Sequence, residues 1–223
     1  MVLYGDSHVT MWLDPLLQMA KTGHWKIVVF MKASCLPVDA TEYRVDQRRP
    51  YSECDNYRQW AYTQMAKFKP QRIIISGLLA QNFADPADGS RMLTIDEARP
   101  IFAAGALHAL QKLRTISPQV YVIGGTPQLD REPAECLASR KATMATCAVP
   151  LDRRTSERNQ QWRQAAATTG AHFVDPVPWF CDKQTCPIVI RDVIVYRDTN
   201  HITRTFAATL KKGLGRKLGL SPS

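Results

Sequence analysis

Short β-branched runs alternate with longer amphipathic segments from the start of the chain to about Val174. In the first three longer segments, apolar side chains recur every three or four residues, which is the spacing of one helix face, whereas the fourth is largely polar. The predicted strands cover residues 2–5, 26–31, 72–76, 120–123 and 171–174. The predicted helices cover residues 11–20, 55–69, 94–113 and 153–169, with Asp55 as the expected N-cap of the second. Strands alternating with helices of this length predict an α/β fold with a parallel sheet covered on both faces.

The sequence after Val174 departs from this alternation. Residues 188–190 and 193–196 are apolar runs separated by two polar residues, which predicts a β-hairpin. A last helix is expected over residues 202–214. No repeat or linker-like stretch interrupts the sequence, so residues 1–223 are predicted to form a single domain.

The chain is basic, with 29 Lys and Arg against 20 Asp and Glu, a net charge of +9 and an isoelectric point of about 9.4. Such a charge indicates either an anionic partner or simply a well-solvated surface, and the second is the more ordinary explanation. The basic residues are scattered, with no interleaved aromatic side chains, apart from a tail cluster of Lys211, Lys212, Arg216 and Lys217. We therefore predict no nucleic-acid partner. The apolar stretches are also far shorter than the roughly 20 residues of a membrane helix.

Six cysteines fall along the chain as three local pairs. Six cysteines allow fifteen pairings, and sequential pairing is favoured because each bridge would close one surface loop. Free buried thiols and a metal site are the alternatives, but the spacings lack a second Cys/His pair in zinc register, so no metal is predicted. The sequential bridges would be Cys35–Cys54, Cys136–Cys147 and Cys181–Cys186.

Disulfides belong to oxidising compartments, yet no signal peptide precedes the first predicted strand. Two explanations remain. Either the protein is cytosolic with six free thiols, or the sequence is a piece of a longer exported or membrane-anchored chain. We favour the second.

The first predicted strand leads through Gly5 and Asp6 to Ser7 and His8, and a helix follows. In a parallel α/β sheet, ligands bind at this carboxyl edge. A serine at a helix N-terminus also has backbone N–H groups nearby that can stabilise an oxyanion. The alternative is that Asp6 or Ser7 only caps the helix.

Asp198 and His201 lie between the predicted hairpin and the last helix. This spacing allows the carboxylate to orient the imidazole, whose other nitrogen can then take a proton from Ser7. Each residue alone has a plainer explanation, Asp198 as a helix cap and His201 as a surface histidine. Together, the motifs at opposite ends of one α/β domain predict a Ser7–His201–Asp198 triad.

The start at residues 5–8 and the end at Asp198 and His201 resemble the first and last sequence blocks of the SGNH (GDSL-like) hydrolase superfamily. One subgroup of this superfamily is matched more closely, at three places in the sequence. These are residues 32–37, Cys54 before a predicted helix that carries Tyr and Trp, and the segment from Cys181 to Asp198. That subgroup is the SGNH domain fused to the C-terminus of type-three membrane acyltransferases, which O-acylate envelope glycans. The resemblance spans nearly the whole chain.

The resemblance implies a three-layer, flavodoxin-like α/β/α fold with a C-terminal hairpin insertion. Ser7 matches the nucleophile, His201 the general base and Asp198 its orienting acid. The implied activity is acyl transfer, as an O-acetyltransferase or esterase, onto an extracytoplasmic glycan and without a cofactor. The implied partner is a membrane acyltransferase domain of the same full-length chain, which would deliver the acyl donor and tether this domain in the periplasm or on the outer face of the membrane. The alternatives are a non-catalytic, basic glycan-binding module on an SGNH shell and a free secreted carbohydrate esterase.

The sequence departs from the family pattern at the expected oxyanion hole. Typical members have a glycine after the second strand and an asparagine after the third, where this chain has Ala-Ser at 33–34 and Gly-Leu-Leu-Ala at 77–80. Removing one such donor costs about 3–4 kcal/mol of transition-state stabilisation in other enzymes, so slow hydrolysis of simple esters is expected. The candidate donors are the N–H of Ser7 and, more weakly, Ser34, Gln81 and Asn82.

Overall fold

A parallel five-stranded sheet forms the middle layer of the computed structural model, which describes residues 1–79 and 82–220. The strands among these residues are β1 (Val2–Gly5), β2 (Val28–Met31), β3 (Tyr43–Arg44), β4 (Arg49–Pro50), β5 (Arg72–Ser76), β6 (Gln119–Ile123), β7 (Val149–Pro150), β8 (His172–Val174), β9 (Thr185–Cys186), β10 (Val189–Ile190) and β11 (Val193–Ile194). The α-helices are α1 (Leu13–Gly23), α2 (Ser52–Phe68), α3 (Ile95–Ile116), α4 (Pro133–Ala138), α5 (Met144–Cys147), α6 (Arg153–Thr169), α7 (Arg204–Thr209) and α8 (Lys211–Lys217). Two 3₁₀ helices span Ser7–Trp12 and Val177–Trp179.

The strand order of the central sheet is β2-β1-β5-β6-β8, and its neighbouring strands all run parallel. Counted within the sheet alone, this is the 2-1-3-4-5 order of flavodoxin-like folds. The order reverses between β1 and β5, and ligands of such sheets bind beyond the carboxyl ends of the strands at that switch point. Only Asp6 separates Ser7 from β1, so the topology puts Ser7 at this edge.

Alternate residues of the central strands face different helical layers. Leu3 and Ile74 pack in one apolar cluster with residues of α1, α7 and α8, whereas Val2 and Ile73 pack in another with residues of α2, α3 and α6. Successive side chains of a strand point to opposite faces of the sheet, and here both faces are buried. This confirms the predicted three-layer α/β/α architecture and explains why the strand sequences are almost wholly apolar.

Helix α2 begins three residues before the predicted cap, so the assignment of Asp55 as N-cap was wrong. Tyr51 precedes the helix and makes no side-chain capping bond. The Asp55 carboxylate instead forms an ion pair with Arg58 and accepts a hydrogen bond of 2.9 Å from the Thr41 hydroxyl. Arg58 is only 2 % exposed, and a buried guanidinium needs an anionic partner more than the helix needs a side-chain cap.

The single last helix predicted over residues 202–214 is two short helices, α7 and α8, which meet at Leu210. The hydroxyl of Thr203 caps α7 by accepting a bond from the N–H of Phe206. Gly213 and Gly215 lie inside α8, and glycine lowers helix stability by about 1 kcal/mol relative to alanine. The segment that follows the break therefore has a weak local helix propensity.

The predicted hairpin is present, with β10 paired antiparallel to β11. Arg191 and Asp192 form its turn with φ angles of 49° and 63°. Two consecutive positive φ angles are the signature of the type I′ turn, whose twist matches that of the flanking strands. The hairpin leads directly into the segment that carries Asp198 and His201.

All six cysteines are paired in the sequential order that the sequence predicts. The bridges are Cys35–Cys54, Cys136–Cys147 and Cys181–Cys186. Among the helices of the described residues, none combines the length and the apolar character needed to cross a membrane.

Candidate active site

The turn after β1 is built around Gly5 and Asp6. A Cβ atom at Gly5 would lie 1.9 Å from the carbonyl oxygen of Ser76 on β5, so only glycine allows the two strands to approach so closely here. Asp6 is 1 % exposed and caps the 3₁₀ helix by accepting a 2.8 Å bond from the N–H of His8. Its second oxygen accepts a 2.7 Å bond from the N–H of Leu78. Because Asp6 does the capping, the hydroxyl of Ser7 is left for other contacts.

The segment from Arg197 to His201 forms a tight loop between the hairpin and α7. The N–H of Arg197 donates to the carbonyl of His201 over 3.0 Å, and the carbonyl of Thr199 accepts a 2.7 Å bond from the N–H of Leu129. Asp198 also accepts bonds from the N–H groups of Asn200 and His201, at 3.0 and 2.7 Å. These backbone bonds fix the loop, and with it the position of the imidazole.

The structure brings together the three side chains that the sequence singled out. The Nε2 atom of His201 lies 2.8 Å from the Oγ atom of Ser7, and its Nδ1 atom lies 3.0 Å from each carboxylate oxygen of Asp198. Ser7 is partly buried, and the side chains of His201 and Asp198 are 17 % and 34 % exposed. A proton can therefore pass between Ser7 and His201, while the carboxylate orients the ring.

The electrostatics of the loop keep Asp198 ionised and His201 neutral. Burial alone would raise the pKa of Asp198, but hydrogen bonds from the backbone of Asn200 and His201 and from the side chains of His201 and Arg197 lower it to about 2. Burial lowers the pKa of His201 below its ordinary value, and the neighbouring His8 lowers it further against the opposing effect of Asp198. A neutral imidazole is the form that can accept the Ser7 proton.

His8 also lies at the site, although no sequence pattern assigned it a role. It is 4 % exposed, and its ring stacks on that of His201 with centroids 4.5 Å apart and planes inclined by 23°. Its ring nitrogens lie 3.2 Å from Asp6 and 3.1 Å from the carbonyl oxygen of Asn200. The contact with Asn200 crosses 192 positions of sequence, which no local pattern reveals.

Two of the candidate oxyanion donors, Ser34 and Asn82, are exposed side chains near the turn of Asp6. Ser34 has a φ angle of 54°, in the left-handed region that favours glycine. Gln81 lies outside the described residues. Leu79 is 1 % exposed and packs against Gly125, so its position offers buried apolar packing instead of an amide donor.

A pocket of about 320 Å³ opens beside the Asp6 turn. Ser34 and Asn82 line it, together with Tyr43 and Arg44 from the β3 strand. Its volume lies at the small end of the range for ligand sites. A larger cavity of about 1100 Å³ lies elsewhere, at the amino ends of the strands, and contains none of the triad residues.

One cluster of potential metal-binding side chains occurs among residues 1–79 and 82–220, formed by Cys35, Glu42 and Cys54. The two sulfur atoms are joined in a disulfide and so provide no thiolate ligands. Glu42 is buried, which raises its pKa to about 8 against the opposing effects of the Leu36 N–H and Arg58. This cluster supports the loop that carries Ser34 and has no metal-site chemistry.

The sequence comparisons match one family over almost the whole chain. A family model described as "SGNH domain (fused to AT3 domains)" matches residues 1–215. None of the curated proteins matches the chain in sequence.

Several solved structures share the fold. The periplasmic domain of a lipopolysaccharide acetyltransferase from Salmonella ser. Paratyphi A has a TM-score of 0.73 at 14 % identity, over 97 % of this chain and 82 % of that one. An acetylxylan esterase from Geobacillus stearothermophilus has a TM-score of 0.58 at 12 % identity, over 100 % and 95 %. An aryl esterase of M. smegmatis has a TM-score of 0.53 at 14 % identity, over 98 % and 97 %. At these identities the likeness shows a common SGNH/GDSL hydrolase fold.

Proposed function

Since this chain belongs to the family of SGNH domains fused to AT3 domains, and is therefore an SGNH-type acyltransferase or esterase, we propose that it transfers acyl groups through Ser7. Ser7 is the nucleophile, His201 the general base and Asp198 the acid that orients it. The observation that carries this proposal is the continuous chain of hydrogen bonds from Ser7 Oγ through both ring nitrogens of His201 to Asp198.

In the first half-reaction, Ser7 Oγ attacks the carbonyl carbon of the acyl donor while its proton moves to His201 Nε2. The bond between the acyl carbon and its leaving group then breaks, and the leaving group takes the proton from His201. The product is an acyl ester on Ser7. Asp198 stabilises the imidazolium that exists between the two steps.

In the second half-reaction, an acceptor hydroxyl gives its proton to His201 and attacks the acyl carbon. The ester bond to Ser7 breaks, and Ser7 Oγ recovers the proton from His201. A sugar hydroxyl as acceptor yields an O-acylated glycan, whereas water yields a free carboxylic acid. Transfer and hydrolysis thus differ only in the acceptor.

The oxyanion of both half-reactions needs donors near Ser7. Ser7 is the first residue of a 3₁₀ helix, and the first N–H groups of a helix have no acceptor within it. We assign the first donor to the N–H of Ser7 and the second to Ser34. An oxyanion hole assembled without the family asparagine is expected to turn over simple esters slowly.

The proposed acceptor is an extracytoplasmic glycan, and the proposed donor is an acyl group delivered by a membrane acyltransferase domain of the same full-length chain. The AT3 fusion named by the family model supports the second half of this proposal. The fold shared with a periplasmic lipopolysaccharide acetyltransferase domain and the three disulfides support an extracytoplasmic location. The AT3 fusion supports a membrane tether there. Residues 1–223 would act there as one domain.

A serine-directed fluorophosphonate probe tests the proposal. The probe should label the wild-type protein at one residue, Ser7, because labelling requires a serine activated by a base. Ser7→Ala should abolish labelling, and Ser156→Ala, which changes an exposed serine on α6, should not affect it. Absence of labelling in a folded wild-type protein would instead favour a non-catalytic glycan-binding module.

A further inference from the structure

Both ring nitrogens of His8 face hydrogen-bond acceptors. Nδ1 lies 3.2 Å from Oδ1 of Asp6, and Nε2 lies 3.1 Å from the carbonyl oxygen of Asn200. A neutral imidazole carries only one N–H, so one of these contacts would set a nitrogen lone pair against an oxygen lone pair. Protonating Asp6 would not relieve this easily, because each of its oxygens already accepts a backbone N–H bond.

We infer that His8 is an imidazolium that bridges Asp6 and Asn200, and that it thereby positions the loop carrying His201 against the turn carrying Ser7. The bridge joins the start of the chain to its end at the point where the triad assembles. A buried cation is tolerated here because the Asp6 carboxylate, 1 % exposed, neutralises it directly. His8 touches no reacting atom and is a positioning residue.

The positive charge of His8 also affects the protonation of the general base, His201. The ring of His8 stacks 4.5 Å from that of His201, and a like charge at this distance opposes protonation of the second ring. Arg197 acts on His201 in the same direction, and Asp198 acts in the opposite one. Glu42 is a further titratable group near the bridge, where it interacts with Asp6, and its raised pKa of about 8 keeps it mostly neutral at pH 7. His8 therefore helps to keep His201 neutral, and ready to accept a proton, in mildly acidic solution.

The protonation state is tested on the whole chain by ¹⁵N NMR of the imidazole nitrogens at neutral pH, with His8→Gln as the assignment control. This measurement is independent of activity. Two protonated nitrogens in His8 are the expected result. One protonated and one bare nitrogen would overturn the inference, whatever the outcome for catalysis.

The positioning role rests on the proposed function and is tested with two neutral variants. The amide of His8→Gln can reach the Nε2 position and still donate to Asn200, whereas that of His8→Asn reaches only the Nδ1 position beside Asp6. Both should move the acid limb of the kcat/KM profile upward by about one pH unit, because the cation is gone. His8→Gln should keep its plateau kcat within about threefold, and His8→Asn should lose about ten- to a hundredfold because the loop is no longer held.

An unchanged acid limb in folded His8→Gln, or equal plateau rates in the two variants, would contradict the positioning role. If neither variant folds, the NMR result on the wild-type protein still decides whether the bridge exists. If the wild-type protein shows no acylation of Ser7, the proposed function fails, and the NMR result again stands by itself.

Discussion

The Nε2 atom of His201 lies 2.8 Å from the Oγ atom of Ser7, although the two residues are 194 positions apart. The parallel sheet explains this proximity. Ser7 follows the strand β1 at the topological switch point, and α7, which follows His201, packs against α1 on the same face of the sheet. The ends of the chain therefore meet at the carboxyl edge of β1, where a ligand of this fold class would bind.

The rate of ester hydrolysis should fall with decreasing pH only below the ordinary titration range of histidine. Burial, followed by the charge of His8, lowers the pKa of His201 from its usual 6.5. Because the base must be neutral, activity is present above this lowered pKa and lost as the pH falls through it. The kcat/KM profile for an activated acetyl ester should have its acid midpoint below pH 6.5. A midpoint above that value would contradict the assignment.

Asp198→Asn should lower kcat by about 10³–10⁴-fold while the protein stays folded. The asparagine oxygen can still accept the N–H bonds of Asn200 and His201, which hold the loop. It can no longer stabilise the imidazolium or select the tautomer that presents Nε2 to Ser7.

The matched control for this change is Arg197→Gln. Arg197 is exposed and forms an ion pair of 3.1 Å with Asp198 from the solvent side. Exposed ion pairs contribute about 0–1 kcal/mol, so the control should change kcat by about fivefold at most. Equal losses in both variants, measured by steady-state kinetics, would indicate a general disruption of the loop and not a specific role for Asp198.

The three bridges should differ in their contribution to the free energy of unfolding. Cys35 and Cys54 are 19 positions apart, and Cys181 and Cys186 only five. Loop-closure entropy predicts a loss of about 3 kcal/mol on replacing the first pair by serines and about 2 kcal/mol for the second pair. Urea unfolding of the two double variants measures the difference, and the reverse order would show that chain entropy does not dominate.

Ser34→Gly should keep the hydrolysis rate within about threefold and should not destabilise the protein by more than about 1 kcal/mol. Ser34 has a left-handed backbone that glycine adopts without strain, and the change keeps its N–H. A fixed N–H is a better oxyanion donor than an exposed hydroxyl free to rotate. A loss of about a hundredfold in kcat would assign the donor to the hydroxyl instead.

The fold was predictable because its strands are buried on both faces and therefore appear as continuous apolar runs, such as residues 72–76. The proximity of Ser7, His201 and Asp198 was predictable because each lies in a short motif at a predicted element boundary. Local rules sufficed where local chemistry determines the structure, as at the start of α3, which was predicted at residue 94 and which the Thr94 side chain caps.

The remaining features depend on contacts that sequence spacing does not encode. Aspartate is a common N-cap residue, which is why Asp55 was predicted to cap α2. Its carboxylate instead forms an ion pair with the buried Arg58, three residues later. No local sequence pattern indicated a role for His8, because the residue it contacts, Asn200, lies 192 positions away. The left-handed backbone of Ser34 was hidden because serine, unlike glycine, does not mark such positions.

The most direct test is rapid-quench mass spectrometry of the protein mixed with a small excess of p-nitrophenyl acetate. If Ser7 is the nucleophile, the wild-type chain gains the mass of one acetyl group during the first turnover, and peptide mapping places it on Ser7. The same experiment with Ser7→Ala should give no acetyl adduct and no release of p-nitrophenol above the uncatalysed rate. An adduct on another residue, or ester consumption by Ser7→Ala at the wild-type rate, would contradict the account.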